Sequence, residues 1–319
     1  MKKFSTALMT KYRTLTILVL ILIIATFLSD AFLTIDNILN VIRQVSIVAV
    51  IAAGMSFVIL TGGIDLSVGS IVAISGALSA SALIKSNSVF LAIFIAVIVG
   101  IAFGLFNGLF ITKGGIPPFI VTLATMVLAR GCVLVFTNGG PIAVKSNAYK
   151  FIGKGYIFGM PFPIIILIIV FAASFLVLKY TKFGRSVFSI GGNREASRLS
   201  GINVKKTETI VYTISGLLCG ITGVILTSRL GSAQPTAGTG YELDAIAAVI
   251  LGGTSLAGGQ GSVLPTVLGA LILGVLDNIL TLMNVNPFAA DIVKGIVILL
   301  AVLADSKFKS LSSKMESNQ

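Results

Sequence analysis

Six stretches of this chain run for 19 to 32 residues without one charged side chain: 44–64, 66–84, 86–112, 155–178, 209–228 and 245–276. A helix needs about 20 mainly apolar residues to cross a bilayer, so each run suffices for a span and the last has room for more. Strands of a membrane barrel would instead alternate in segments of about 10 residues. Charged residues make up 11% of the chain, against roughly a quarter in a soluble domain. The pattern predicts an all-α polytopic membrane protein with about ten transmembrane helices, at 14–33, 41–61, 69–84, 88–112, 116–137, 162–179, 207–229, 244–258, 263–283 and 288–304. The whole chain, 1–319, reads as a single membrane domain whose longest hydrophilic insertion is the loop 180–206.

The net charge of +12 does not point to nucleic acid, because the basic residues sit in connecting segments rather than on one soluble face. With both termini in the cytoplasm, the inner side would hold Lys2, Lys3, Lys11 and Arg13, then Lys113, seven basic residues of the central loop, and Lys307, Lys309 and Lys314. That is 15 of the 23 basic residues, the bias expected of cytoplasmic loops. Lys145, Lys150 and Lys154 fall in the outer loop 138–161, which is expected to form an ordered cover. Cys132 and Cys219 lie in apolar spans and read as buried free thiols. The basic N-terminus followed by an apolar run imitates a signal peptide, and a retained first helix is expected.

The central loop carries Lys179, Lys182, Arg185, Arg194, Arg198, Lys205 and Lys206 against one acid, Glu195. Within it, 193–201 has the marks of a short capped helix. Asn193 suits the N-cap, Glu195 lies in the first turn, Arg198 lies near the end and Gly201 supplies the stop. Such an element either binds lipid headgroups or receives a push from a moving protein. The chain has no phosphate-binding G-x-x-x-x-G-K-[ST] loop, no H-E-x-x-H zinc site, no G-x-S-x-G nucleophile elbow and no histidine. Enzymatic function is therefore not expected, no cofactor is expected on the chain itself, and energy must come from an ion gradient or a partner.

The transport path is expected where ionisable or amide groups and broken helices lie inside the membrane. Asp65, Asn107 and Asn278 are such polar residues, and the pairs Gly62-Gly63 and Gly252-Gly253 would break helices there. Asp65 either caps the helix that follows it or lines a gate. Asp244 reads as a cap, and Asp291 with Lys294, three apart on one helix face, as a neutral pair. The segments 62–69 and 252–259 both fit G-G-x-x-L-x-x-G after a Val-Ile-Leu, an echo of the internal repeats common in transporters.

Longer motifs carry a resemblance. Lys182-Phe183-Gly184-Arg185, then Gly191-Gly192-Asn193-Arg194-Glu195-Ala196-Ser197-Arg198-Leu199-Ser200-Gly201-Ile202-Asn203-Val204, is similar to the cytoplasmic loop of sugar-importer permeases of the ATP-binding-cassette class. Ser232-Ala233-Gln234-Pro235-Thr236-Ala237-Gly238-Thr239-Gly240-Tyr241-Glu242-Leu243-Asp244, the segment 251–259, the segment 61–69 and Thr122-Leu123-Ala124-Thr125-Met126 resemble the ribose-type branch of that family. The resemblance covers about 40–304. It implies an ABC importer permease fold in the bacterial plasma (inner) membrane, working as a homodimer or beside a sister subunit. It also implies two further partners, a cytoplasmic ATPase that uses ATP and Mg, and an extracytoplasmic sugar-binding protein. Asn193, Arg194, Glu195, Ala196, Arg198 and Gly201 would form the coupling helix, with Glu195 and Ala196 at the contact face. A monosaccharide is the implied substrate, ribose ahead of galactose, xylose or the furanose-like autoinducer-2. The competing expectation is an autonomous secondary sugar carrier or facilitator.

Overall fold

Each charge-free run contributes to at least one helix, because backbone amides inside a bilayer find partners only along their own segment. In the computed structural model, residues 2–286, 288–297, 299 and 303 are described, with the backbone alone for 2–13. Among the described residues, six helices are long and apolar enough to cross a membrane: α2 (Ile35–Leu60), α3 (Val68–Ser86), α4 (Val89–Thr112), α5 (Pro118–Thr137), α7 (Phe162–Tyr180) and α10 (Val204–Leu230). Shorter apolar helices join them. They are α1 (Lys2–Leu28), whose apolar part is Thr14–Leu28, and α12 (Thr266–Leu282), and a further helical run, 288–297, follows. Local chemistry sets the ends. The Ser88 hydroxyl accepts from the Leu91 amide at the start of α4, Pro118 opens α5, and Asn87, Asn138 and Gly231 close α3, α5 and α10 in the left-handed conformation.

The helix α10 lies at the centre, packed against α2, α3 and, most extensively, α4. Its contact with α4 is backbone on backbone: a Cβ on either Gly100 or Gly216 would lie 2.2 Å from the other helix's carbonyl at Gly216 or Gly100. Small residues at such crossings let helices approach closely enough to gain dispersion contacts that lipid would otherwise supply. While α2, α3 and α10 are largely buried, α4, α5 and α7 expose Phe90, Phe94, Val127, Val135, Ile169 and Leu176 on one flank. Such apolar flanks suit contact with lipid.

Four sequence expectations are corrected. The eighth span, 244–258, is a half-helix: α11 (Tyr241–Leu251) has 11 residues, about 16 Å at 1.5 Å per residue and half of a hydrocarbon core. The carbonyl left at its end, that of Leu251, accepts a 2.7 Å bond from the Thr14 hydroxyl of α1. Cys132 is exposed on the outside of α5, and only Cys219 is buried. Asp244 caps nothing, since Gly240 holds the N-cap of α11. Lys294 pairs across helices, with Asp277 at 3.0 Å and Asp244 at 3.9 Å, rather than with Asp291. A lysine reaching between two carboxylates gains more than one bound to a single neighbour on its own turn. The basic residues expected at the inner C-terminal end, Lys307, Lys309 and Lys314, lie outside the described residues.

The segment 138–161 is ordered. Its strand β1 (Ile142–Ala143) pairs antiparallel with β4 (Ser232–Ala233), and β2 (Tyr156–Ile157) pairs with β3 (Met160–Pro161). Between them, α6 (Asn147–Lys154) is pinned to the bundle. The Tyr149 hydroxyl meets Ser79 at 2.8 Å, and the Ser228 hydroxyl bridges the Tyr149 carbonyl and the Gly153 amide at 2.6 Å each. This cover sits at the C-terminal end of α10.

Candidate functional site

At the other end of α10 the central basic segment is not a loop but two helices. The first, α8 (Lys182–Gly192), is capped by the Thr181 hydroxyl, and the second, α9 (Arg194–Leu199), by the Asn193 side chain, which accepts from the Ala196 amide at 2.9 Å. Gly201 takes the left-handed conformation, φ 83°, as a helix stop requires. Glu195 and Arg198 pair along the exposed face, and Ser197 is the one residue of α9 that is buried, bonded to Ser189 of α8 at 2.8 Å. Arg198 holds the Glu195 carboxyl below its ordinary range by hydrogen bonding, so the pair stays ionised. Arg194 reaches back to α10 through a two-pronged bond to Glu208, at 2.8 and 3.0 Å. The helix α9 is thus tied on one side and bare on the other: Glu195, Ala196, Arg198 and Leu199 all face outward.

Both α2 and α11 end on the same turn. Gly62 has φ 81° and Gly253 φ 86°. The Gly62 and Gly63 amides bond to Ile59 and Val58, while those of Gly253 and Thr254 bond to Ile250 and Val249. The match runs Val58-Ile59-Leu60 onto Val249-Ile250-Leu251. Beyond the turn it shifts by one residue, because the Asp65 carboxylate accepts from the Ser67 amide as the Ser255 hydroxyl accepts from that of Ala257. The repeated motif therefore marks two halves with equivalent breaks. They are joined directly, the Gly259 amide donating to the Leu60 carbonyl at 3.0 Å.

The end of α8 is wedged into this seam. A Cβ on Gly191 would stand 1.9 Å from the Leu60 carbonyl oxygen and 2.3 Å from the Gly259 nitrogen. The sequence neighbourhood of Gly191 does not single it out, and no local pattern shows that a distant backbone will lie against it.

Asp65 is fully buried and binds only neutral donors: the Ser67 amide and hydroxyl and the Ser215 hydroxyl, the last at 2.9 Å. Asn107 donates to the Ser67 hydroxyl at 2.8 Å and accepts from Thr125 at 2.6 Å. This network fastens the first turn to α4, α5 and α10. Asn278 exchanges bonds of 3.0 and 2.7 Å with Asn37, clasping α12 to the start of α2. Asp65, Asn107 and Asn278 do not line the cleft beside Tyr212. Gly62 and Gly63 do: with Thr112, Lys113, Arg194, Glu208 and Tyr212 they line a cleft of about 490 Å³ between the first turn and the α9–α10 corner. Gly252 and Gly253 do not reach it. Glu208 and Tyr212 escape a reading of the sequence; the signal for Glu208 is a lone acid standing just before a charge-free run.

Known proteins align with most of this sequence. The family described as branched-chain amino acid transport system / permease component matches residues 37–302. The chain is 52% identical over 292 residues to the ribose import permease protein of Bacillus subtilis (strain 168), covering 91% of each chain. To the ribose import permease protein of Haemophilus influenzae it is 46% identical over 293 residues, again 91% of each. To the L-arabinose transport system permease protein of Escherichia coli (strain K12) it is 37% identical over 295 residues, 92% of this chain and 90% of the relative. No solved structure gives a significant match.

Proposed function

The chain belongs to the permease-component family of branched-chain amino acid transport systems, and on that premise we propose that it carries ribose inward across the bacterial inner membrane as the passive subunit of an ATP-binding-cassette importer. The observation that carries the sugar is the 52% identity to a ribose import permease over nine-tenths of both chains. Relatives that import arabinose stand lower, at 37%. Ribose thus ranks ahead of galactose, xylose and autoinducer-2.

In this reading α9 rests in a groove of the ATPase, which alone binds ATP and Mg; the permease itself holds no cofactor. Two copies of the chain pair around a shared path, and an extracytoplasmic binding protein delivers the sugar. Both termini and the α8–α9 corner face the cytoplasm, as the excess of basic residues there favours. Lys179, Lys182 and Arg185 at the base of the corner meet lipid headgroups. Closure of the ATPases on ATP moves α9, and α8 passes the displacement at Gly191 into both broken turns at once. The α2–α3 and α11–α12 halves then change their tilt, opening the cleft beside Tyr212 to one side of the membrane in turn. Gly62, Gly63, Gly252 and Gly253 serve as the hinges, and the Asp65, Asn107 and Asn278 networks keep each half rigid as it moves.

Purification from native membranes in mild detergent tests the partnership. An ATPase that co-purifies and is lost with Glu195→Lys supports it, and a chain that purifies alone yet moves ribose down its gradient in liposomes is an autonomous carrier.

A further inference from the structure

The end of α10 opposite α9 holds a second cavity. About 570 Å³ in size, it lies where α2, the last turn of α10, the loop after β4 and the start of α11 converge. Leu226 at its floor is 14 residues beyond Tyr212, about 21 Å along the helix axis. Glycine-packed backbone fills the interval, so this bowl and the cleft beside α9 are separate in this conformation.

The bowl is polar in an uncommon way for a membrane bundle. Its side chains include Gln44, Arg229, Gln234, Thr236 and Tyr241. Arg229 spends one guanidinium nitrogen on Asn40, at 3.2 Å, and Gln234 spends its amide nitrogen on Ser232, at 3.0 Å. That leaves further guanidinium donors and the Gln234 carbonyl oxygen. Among the described residues, neither the Gln44 amide nor the Tyr241 hydroxyl makes a hydrogen bond within the protein. Donors and acceptors are therefore mixed, and the half-buried Tyr241 ring offers a flat apolar face beside them. No carboxylate lines the bowl. Of the carboxylates near it, Glu242 lies beside Gly69 and accepts from the Gly240 amide at 3.3 Å, while Asp244 and Asp277 lie in a narrow adjoining cavity that Gln44 also borders and are engaged by Lys294.

A cation would meet no carboxylate in the lining and the Arg229 guanidinium instead, and a fatty molecule would leave several polar groups unsatisfied. A small neutral polyol, each of whose hydroxyls both donates and accepts, satisfies the set. We propose that this bowl is a low-affinity receiving site for the monosaccharide within the permease, with Gln44, Arg229 and Gln234 bonding its hydroxyls and Tyr241 packing on its apolar face. The inference rests on the transport reading above and adds the place where the sugar first meets this chain. Weak binding is what a path demands, since a sugar held tightly would not leave.

The chain has no tryptophan, so Thr236→Trp on the exposed rim gives a single fluorescent reporter. The full chain with its ATPase is reconstituted in liposomes without the binding protein and titrated with D-ribose. A saturable fluorescence change with a midpoint in the millimolar range is expected, moved at least tenfold upward by Gln44→Ala or Gln234→Ala. Sodium acetate at equal concentration should give no change. No response to 100 mM ribose, a response the glutamine variants leave in place, or an equal response to acetate would overturn the proposal. Uptake by the complete wild-type system is measured in parallel: its absence would defeat the transport reading, whereas normal uptake with a silent reporter would defeat the bowl alone.

Discussion

Gly191→Ala should disconnect the partner ATPase from transport, and its neighbour provides the control. The new Cβ would stand 1.9 Å from the Leu60 carbonyl oxygen, where real contacts hardly ever fall below 3.0 Å, so backbone must retreat by about 1 Å. Neither neighbouring atom is the pliable tip of a side chain; both are main chain. Overpacking of this kind costs about 1–3 kcal/mol, and the retreat breaks the Gly259-to-Leu60 bond, worth about 1 kcal/mol more. A total of about 2–4 kcal/mol is within what a folded domain survives. If the strain is borne at the seam as the halves move, it corresponds to a loss of transport rate of at least about tenfold. Gly192→Ala, one residue on, meets nothing within 4 Å and has an ordinary φ, so it should behave as wild type. Both variants are compared for membrane yield, thermal stability, ATP hydrolysis and sugar uptake in proteoliposomes. The expected result is hydrolysis retained with uptake lost in Gly191→Ala alone. Normal uptake by Gly191→Ala, or equal damage from Gly192→Ala, would refute the wedge at the seam.

Glu195→Lys places a third cation beside Arg194 and Arg198 on the bare face of α9, and should abolish ATP-driven uptake while leaving insertion unchanged, as membrane fractionation would register. Arg198 depresses the Glu195 carboxyl, so its ionised form favours the native arrangement. That contribution is complete above the ordinary carboxylate pKa and lost only as pH falls through the depressed value. Uptake limited by α9 should therefore stay level from pH 8 to about pH 5. Asp65→Asn turns one acceptor into a donor among three donating groups and should lower thermal stability by about 1–3 kcal/mol, with uptake falling only in step. Uptake abolished at unchanged stability would make Asp65 part of the path. Lys294→Ala leaves Asp277 and Asp244 facing one another and should cost about 3 kcal/mol, with part recovered in Lys294→Met/Asp277→Leu, measured as detergent-solubilised melting temperature.

Features that depend on neighbours along the chain are legible in the sequence. The capped α9 can be read because Asn193 and Gly201 act within three residues of the groups they satisfy. Span ends are lost where no charge marks them: no charged residue interrupts 245–276, and only the Gly253 turn ends α11 within that run. Helical spacing assigns Lys294 to Asp291 because it shows partners on the same face and hides Asp277 and Asp244 on other helices. The same blindness covers Ser215 against Asp65 and Gly191 against Leu60, contacts made across 150 and 131 positions. The glycine echo is visible in the residues, but its one-residue shift lies in the amide bonds of the two turns.

The central claim is that this chain transports only when another protein spends ATP against α9. Its most direct test is labelled-ribose uptake in liposomes containing the chain alone, the chain with its ATPase and binding protein, and the same complete set with Glu195→Lys. Accumulation against the gradient in the second sample only, dependent on ATP, is the predicted result. Equal ribose movement by the chain alone, or undiminished accumulation with Glu195→Lys, would contradict it.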